Sequence, residues 1–274
     1  MLKSIRRMIH LARTQRDAAF MAFMERQILD LRERYSREKR LEPYGYKAFS
    51  QGDEDGLIAE IFQRIGTTDR RFVEFGCGDG LENNTAYLLY QGWSGLWLDS
   101  LESNERILKR RWRNELAHGK LKFRRAMITP ENVDRLLSEG GFHSPIDLLS
   151  LDIDGNDYHV WNATTVIKPR VVCIEYNAKF RPPVDWVMPR DDNYVWNGTD
   201  QSGASLTAMT RLGLEKGYTL VGCDISGVNS FFVRKDLAGD YFAEPFTAEN
   251  YYHPPRYYLT QGFFSGHPAE FPPA

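Results

Sequence analysis

The stretch RRFVEFGCGDGLENNTAYLL, residues 70–89, places three glycines within five residues, directly after an apolar run. A glycine-rich turn between a buried strand and a helix lets a ligand approach main-chain N–H groups. The run over residues 72–75 therefore predicts a strand, and the residues from about Asn84 predict the helix after it. Many cofactors bind at such turns, so the choice among them depends on the rest of the chain.

The apolar pattern alternates between helices and strands on both sides of this turn. Strands separated by helices indicate a parallel sheet that is covered on both faces. Near the end, YTLVGCD and NSFFVRKD are separated by only four residues and predict an antiparallel hairpin. The predicted fold class is α/β: a Rossmann-like, doubly wound, seven-stranded sheet of five parallel strands and a C-terminal antiparallel hairpin, with an N-terminal helical extension. The strands predicted after the first lie at residues 95–98, 121–125, 146–152, 170–176, 218–224 and 229–236.

The chain divides into three predicted parts: a helical arm over residues 1–48, the α/β domain over 49–242 and a tail over 243–274. Residues 1–40 carry eleven Lys and Arg against five Asp and Glu, with apolar residues at helical spacing. Such an arm is expected to pack on the domain or on a second copy, which predicts a homodimer. It could instead lie on an anionic membrane surface. The tail is rich in proline and aromatic residues and is expected to wrap the domain or cover a site.

Composition restricts the partners. With 42% hydrophobic residues in 274, the chain can bury a substantial core, and a net charge of −2 argues against a general nucleic-acid binder. The three cysteines lack metal-ligand spacing and are odd in number. No apolar run approaches the roughly 20 residues of a membrane helix, and no signal-peptide core precedes the domain. A cytoplasmic protein without a transmembrane segment is expected.

The glycine spacing points away from a dinucleotide. Dinucleotide sites favour Gly-x-Gly-x-x-Gly, whereas Gly76, Gly78 and Gly80 form Gly-x-Gly-x-Gly. Glu74 precedes the first glycine, where a carboxylate could bind an ammonium group. Asp99 ends the second predicted strand, where a carboxylate could bind both hydroxyls of a ribose. A ligand that combines an amino acid with an adenosine would suit both residues.

These features resemble the class I S-adenosylmethionine-dependent methyltransferases over roughly residues 49–236. The motifs that carry the resemblance are VEFGCGDG, LWLDS, DLLSLDIDGND and the closing hairpin. More narrowly, SQGDEDG, LDIDGND and NSFFVR resemble FkbM-type methyltransferases, which methylate hydroxyls of sugars and glycosylated products. The resemblance implies an O-methyltransferase that binds S-adenosylmethionine and takes a saccharide or glycoside as substrate.

The resemblance also implies a set of cofactor-binding residues. Ser100 and Met127 could flank the adenine, and Asn84 could cap a helix instead of contacting the cofactor. The full predicted set is Glu74, Gly76, Cys77, Gly78, Asn84, Asp99, Ser100, Met127 and Asp152.

An acidic loop after the fourth strand is the predicted reaction centre. Asp152, Asp154 and Asp157 would repel one another unless a proton, a lysine or a divalent cation neutralised them. This loop is similar to that of metal-dependent sugar and catechol O-methyltransferases, which implies Mg²⁺ or Mn²⁺ bound by Asp152, Glu175 and Asn177. CIEYNA, however, lacks the paired acidic residues that those enzymes often have after the fifth strand.

Asp152, Asp154 and His159 are the predicted catalytic residues, with Asp154 as a metal ligand or as the base. A methyl transfer requires an aligned acceptor oxygen and removal of its proton. His143 is predicted at the wrong end of its strand, and His253 and His267 lie in the tail. The aromatic residues Trp186, Tyr194 and Trp196 could stack on sugar rings or could pack within their loop.

Two other functions fit parts of the sequence. A non-catalytic nucleotide-sensing or assembly module could have the same fold, although the retained Glu74, Asp99 and acidic loop argue against it. An NAD-linked oxidoreductase is disfavoured by Glu74 and by the glycine spacing.

Overall fold

The computed structural model describes residues 38–143, 145–196, 198–257 and 259 of the chain. The amphipathic stretches predicted before residue 38 lie outside these residues, and so does the part of the tail that contains His267.

The described residues form one seven-stranded sheet in the order β3-β2-β1-β4-β5-β7-β6. Neighbours among β1 to β5 are parallel, whereas β7 is antiparallel to both β5 and β6. The predicted α/β fold of five parallel strands and a closing hairpin is therefore confirmed. The strands are β1 (Arg71–Phe75), β2 (Ser94–Asp99), β3 (Leu121–Arg125), β4 (Ile146–Leu151), β5 (Pro169–Glu175), β6 (Tyr218–Cys223) and β7 (Asn229–Arg234).

Helices connect the parallel strands and cover the sheet. They are α1 (Glu54–Ile65), α2 (Ala86–Tyr90), α3 (Glu102–Arg111), α4 (Arg113–Ala117), α5 (Val133–Glu139), α6 (Asp157–Ala163), α7 (Leu206–Glu215), α8 (Lys235–Ala238) and α9 (Ala248–Tyr251). None of the described helices is both long and apolar enough to cross a bilayer.

The helices α2 and α5 begin later than the sequence predicts. The sequence predicts a helix over residues 130–137, but α5 starts at Val133, because the Asn132 side chain accepts a hydrogen bond from the Thr129 N–H at 2.9 Å and forms a turn first. The α2 helix starts at Ala86 rather than Asn84, because residues 83–85 bind the carboxylate of Glu74.

The core lies on both faces of the sheet. Alternate residues of neighbouring strands belong to different apolar clusters: Val73 and Leu149 lie in one, and Phe72 and Leu148 in the other. All residues of β4 are buried, as expected for a central parallel strand with helices on both sides.

Buried polar contacts join the described part of the tail to residues 40 and 42, before α1. His253 is fully buried, and its Nε2 lies 3.1 Å from Oε1 of Glu42. The buried Arg40 binds Oε2 of Glu42 through Nε at 3.2 Å and donates to the carbonyl of Asn250, also at 3.2 Å. These contacts join the segment before α1 to the segment after α9.

The order of the strands creates a crevice between β1 and β4. The chain runs from β1 outward through β2 to β3, and then returns to the other side of β1 with β4. In open α/β sheets, ligands bind beyond the carboxyl ends of the strands at such a switch point. The glycine turn after β1 and the acidic loop after β4 meet at this position.

Candidate functional site

The three glycines after β1 serve different purposes. Gly76 has a φ of 75°, and a Cβ there would lie 1.6 Å from the carbonyl oxygen of Asp152, so only glycine fits. A Cβ on Gly80 would lie 2.7 Å from the indole nitrogen of Trp112. Gly78 has a φ of 56°, and no heavy atom lies within 4 Å of the position that a Cβ would occupy. Gly78 is thus the glycine whose missing side chain leaves open space.

Asp99 holds the glycine turn against the end of β2. Its Oδ2 accepts a hydrogen bond from the Gly78 N–H at 3.0 Å, and its Oδ1 accepts from the Leu101 N–H at 2.8 Å and the Asn104 side chain at 3.1 Å. Asp99 also lines the cavity at this edge. The predicted ribose-binding carboxylate therefore faces the cavity with a fixed orientation.

Glu74 occupies a different place from the one its predicted role requires. It does not line the cavity, and its buried carboxylate accepts hydrogen bonds from the Asn83 side chain (2.7 Å), the Asn84 N–H (2.8 Å) and the Thr85 hydroxyl (2.5 Å). Burial raises its pKa from 4.5 to about 7, although these hydrogen bonds oppose the rise. With both oxygens engaged, Glu74 anchors the turn and does not present itself to an ammonium group.

Asn84 is also absent from the cavity wall. Its buried side chain donates to the Ser150 hydroxyl at 3.1 Å and to the Cys173 sulfur at 3.5 Å, which joins the turn to β4 and β5. Cys77 does line the cavity, but burial, and then the nearby Glu74 and Asp99, raise the pKa of its thiol well above the usual value. It is therefore a protonated lining residue.

The acidic loop after β4 divides into lining and supporting residues. Asp152 and Asp154 line the cavity, and Asp154 has a left-handed backbone with a φ of 62°. Asp157 faces inward instead, and its carboxylate accepts from the N–H groups of Ile153 (2.9 Å) and Gly155 (3.0 Å). Asp157 therefore shapes the loop that presents the other two carboxylates.

The predicted metal ligands do not form a metal site in the part of the chain that the structure describes. No group of three or more His, Cys, Asp or Glu residues is arranged there to hold a metal ion. The Asn177 amide donates to the carbonyls of Asp200 (2.7 Å) and Ser202 (2.9 Å), and its oxygen accepts from the Lys179 N–H. Asn177 is thus engaged in folding the loop after β5.

Glu175 is half-buried and does not line the cavity, whereas Asp152 does. Burial, and then repulsion from neighbouring carboxylates, raise the pKa of each well above its usual value. A proton on this pair, or a cationic group bound beside Asp152, would relieve the repulsion.

His159 lies away from the cavity. Its Nε2 is 2.9 Å from the carbonyl oxygen of Met188, so the ring fastens α6 to the loop after β5. His159 is thus a structural contact here rather than a base. Of the other predicted groups, Trp186 packs against Phe180 with ring centroids 4.3 Å apart, whereas Tyr194 and Trp196 line the cavity.

The cavity has a volume of about 790 Å³, within the usual range for small-molecule sites. Its described lining carries six carboxylates and no Lys, Arg or His. Two of the six have cationic partners, since Glu82 pairs with Lys47 at 3.2 Å and Asp192 with Arg190 at 2.8 Å. The six are Asp79, Glu82, Asp99, Asp152, Asp154 and Asp192. The cavity therefore attracts cations and repels anions.

Several lining residues were not predicted from the sequence. Ser100 and Met127 were predicted and do line the cavity, together with their neighbours Leu101 and Ile128 and with Asn104 in the first turn of α3. Gln51 belongs to the SQGDEDG motif, and Leu81 and Glu82 directly follow the glycine turn, but the sequence predicted no ligand contact for any of the three.

Comparison with known proteins gives similarity of structure only. No family model matches the sequence, and the curated proteins include no match to it. The N-terminal domain of EvdMO1 with SAH bound is 14% identical, with a TM-score of 0.43 over 70% of this chain and 90% of that chain. An S-adenosylmethionine-dependent methyltransferase from Clostridium acetobutylicum ATCC 824 is 12% identical, with a TM-score of 0.42 over 68% and 92%.

WbdD is 16% identical, with a TM-score of 0.40 over 66% of this chain and 39% of that chain. The chain thus spans well under half of WbdD. At these identities and TM-scores, the three structures do not show the activity of this chain.

Proposed function

We propose that this chain is an S-adenosylmethionine-dependent O-methyltransferase that acts on a hydroxyl of a saccharide. The observation that carries the proposal is the acidic cavity at the β1–β4 switch point. S-adenosylmethionine brings a sulfonium and an ammonium group and no phosphate, so its positive charges suit a wall of carboxylates.

The cofactor can be assigned to the cavity group by group. Gly78 leaves room for its amino-acid end, Asp99 suits the ribose hydroxyls, and Met127 with Leu101 suits the adenine. The ammonium group is assigned to Asp152 rather than Glu74, because Asp152 lines the cavity and Glu74 does not. This assignment leaves Asp154, Tyr194 and Trp196 on the cavity wall for the acceptor.

Asp154 is the proposed general base. Its side chain is exposed at the cavity wall, and Ser202 fixes its backbone by donating to its carbonyl oxygen at 2.7 Å. Loss of water around the carboxylate, and then repulsion from Asp99, raise the pKa of Asp154 above its usual value. A raised pKa makes Asp154 a better proton acceptor. Bound S-adenosylmethionine would supply the methyl group, whose bond to sulfur would break as the acceptor oxygen bonds to the carbon. Asp154 would take the proton of the acceptor hydroxyl.

A saccharide acceptor is supported by the aromatic wall of the cavity. Trp196 is 47% exposed, and Tyr194 packs over Gly155, where a Cβ would lie 2.5 Å from its ring. Aromatic faces at a cavity wall suit the C–H faces of sugar rings, and the carboxylates suit their hydroxyls.

The rival functions fit the site less well. An NAD site places its pyrophosphate at a helix N-terminus directly after the glycines. Here α2 begins at Ala86, six residues after Gly80, and has only five residues. The absence of a cation from the described lining also disfavours a pyrophosphate. A non-catalytic binding module would bind the cofactor but transfer no methyl group, so a turnover assay distinguishes it from an enzyme.

The test is transfer of a labelled methyl group from S-adenosylmethionine to a panel of glycosides. Turnover should be lost in Asp154→Asn, whereas affinity for S-adenosylhomocysteine stays near the wild-type value. Asp185→Asn is a suitable control, because Asp185 is an exposed carboxylate that pairs with Arg211 at 3.0 Å and does not line the cavity. Full turnover in Asp154→Asn would exclude Asp154 as the base.

The same assay tests the divalent cation. Because the predicted ligands Asp152, Glu175 and Asn177 do not form a metal-binding group, we expect turnover to persist in excess EDTA. Loss of turnover in EDTA and its recovery with Mg²⁺ or Mn²⁺ would show that the reaction requires the cation.

A further inference from the structure

A strip of four aromatic rings lies on the surface beside the cavity. It consists of Tyr46, Phe49, Tyr87 and Tyr90, here called the aromatic strip. Phe49 lies 6.3 Å from Tyr87 with rings inclined by 25°, and 5.2 Å from Tyr90 with rings inclined by 14°. Tyr46 meets Tyr87 edge to face at 6.2 Å. Each ring therefore packs beside at least one other, and the four form one continuous surface.

The strip is exposed to an unusual degree for aromatic side chains. Tyr90 is 66% exposed and Tyr46 is 43% exposed, while Phe49 and Tyr87 are half-buried. Contiguous exposed apolar surface of this kind marks interaction sites more often than scattered single residues do. The inner edge of the strip rests on the core, since Tyr90 contacts the buried Trp112 with centroids 5.8 Å apart.

The strip is contiguous with the cavity. Lys47, between Tyr46 and Phe49, donates to the carbonyl of Gln51 at 3.1 Å and pairs with Glu82 at 3.2 Å. Both Gln51 and Glu82 line the cavity. A molecule that extends from the cavity across this ion pair therefore reaches the strip directly.

The loop that carries Phe49 is rigidly held. One carboxylate oxygen of Asp55 accepts from the N–H groups of Ala48 (2.7 Å), Phe49 (2.6 Å) and Ser50 (2.8 Å). Asp55 lies in the first turn of α1, so the position of Phe49 is set by the helix. A surface that is ordered before binding loses little conformational entropy when a ligand binds.

We propose that the aromatic strip is a second subsite, on which further pyranose rings of a neutral glycan stack while its terminal ring enters the cavity. This inference rests on the proposed function and extends it from a single sugar to a chain. The C–H face of a pyranose fits a flat aromatic face, and the tyrosine hydroxyls and the Lys47–Glu82 pair supply hydrogen-bond partners beside the rings. Because that pair carries no net charge, the site favours a neutral chain over an anionic one.

The test is affinity electrophoresis of the full chain in native gels that contain hydroxyethyl cellulose, mixed-linkage β-glucan or galactomannan. At least one of the three should retard the wild-type protein. Tyr90→Ala should weaken this retention by about two- to tenfold, the range expected for one aromatic contact. Tyr90→Phe should retain it, because the ring remains. Tyr241→Ala is the matched control, since Tyr241 is 52% exposed and lies outside the strip.

Calorimetry with S-adenosylhomocysteine separates this proposal from the proposed function. If a polysaccharide retards the wild type more than Tyr90→Ala and the protein binds no S-adenosylhomocysteine, the glycan subsite is supported and the methyltransferase activity is refuted. If the protein binds S-adenosylhomocysteine but none of the three polysaccharides retards it, the strip is not a glycan subsite. Equal retention of Tyr90→Ala and wild type would also overturn it. A change of sedimenting mass in Tyr90→Ala, without a change in retention, would identify the strip as a contact between copies and overturn it as well.

Discussion

Replacement of Gly78 by alanine should weaken cofactor binding much more than it weakens folding. Gly78 has a φ of 56°, and a Cβ there meets no heavy atom within 4 Å. The left-handed backbone costs an alanine about 1 to 2 kcal/mol, partly offset by its smaller unfolded-state entropy. The new methyl group itself would stand at the cavity wall, where a ligand is expected to approach the main chain.

Gly217→Ala provides the matched control. Gly217 has a φ of 84° with nothing within 4 Å of its Cβ position, and it follows α7 outside the cavity lining. Both variants should lower the free energy of unfolding in urea by a similar amount, about 1 kcal/mol. Only Gly78→Ala should weaken the binding of S-adenosylhomocysteine, by about tenfold or more, which corresponds to about 1.4 kcal/mol. Equal affinity in both variants and in the wild type, measured by calorimetry, would show that the ligand does not approach Gly78.

Three further predictions concern neighbouring residues. Asp99→Ala should weaken S-adenosylhomocysteine binding by about 2 to 4 kcal/mol, because it removes the predicted ribose contacts and the acceptor of the Gly78 N–H; unchanged affinity in a folded variant, measured by calorimetry, would remove this assignment. Burial raises the pKa of Glu74 from 4.5 to about 7. Its contribution to the free energy of unfolding, roughly 3 kcal/mol at most, is therefore full below pH 4.5 and is lost as the pH rises to about 7. Urea unfolding from pH 5 to 8 should show this decline, with a smaller slope in Glu74→Gln; equal slopes would contradict it. Gly76→Ala should destabilise the fold more than Gly78→Ala in the same urea experiment, because its Cβ would lie 1.6 Å from the Asp152 carbonyl oxygen, and equal stabilities would refute that steric argument.

The sequence predicted the fold because the fold depends on patterns that are local. Central parallel strands such as β4 are mainly apolar and buried along their whole length, and the helices between them show apolar residues at helical spacing. Right-handed connections then place helices on both faces of such a sheet. The starts of α2 and α5 were less predictable, because side chains of Glu74 and Asn132 compete for the backbone there.

The site was predicted less completely, because it depends on where side chains point. Asp99, Asp152 and Asp154 line the cavity as residues after strand ends should. Glu74 also lies at a strand end, but residues 83–85 fold back onto its carboxylate, a long-range contact that its spacing does not reveal. Asn177 is likewise engaged by the loop after β5.

The aromatic strip was not predicted either, because its rings come from two separate segments. Tyr46 and Phe49 precede α1, and Tyr87 and Tyr90 lie in α2. Neither segment shows an aromatic pattern that exceeds ordinary core packing. Only the packing of α2 beside the loop before α1 brings the four rings together.

The most direct test of the central claim is calorimetry of the full chain with S-adenosylmethionine and, separately, with NAD. A cavity that has a glycine turn and six carboxylates, with no Lys, Arg or His in its described lining, should bind one S-adenosylmethionine per chain and give no heat with NAD. Binding of NAD together with no binding of S-adenosylmethionine would contradict the claim that the cavity selects a cationic, phosphate-free cofactor.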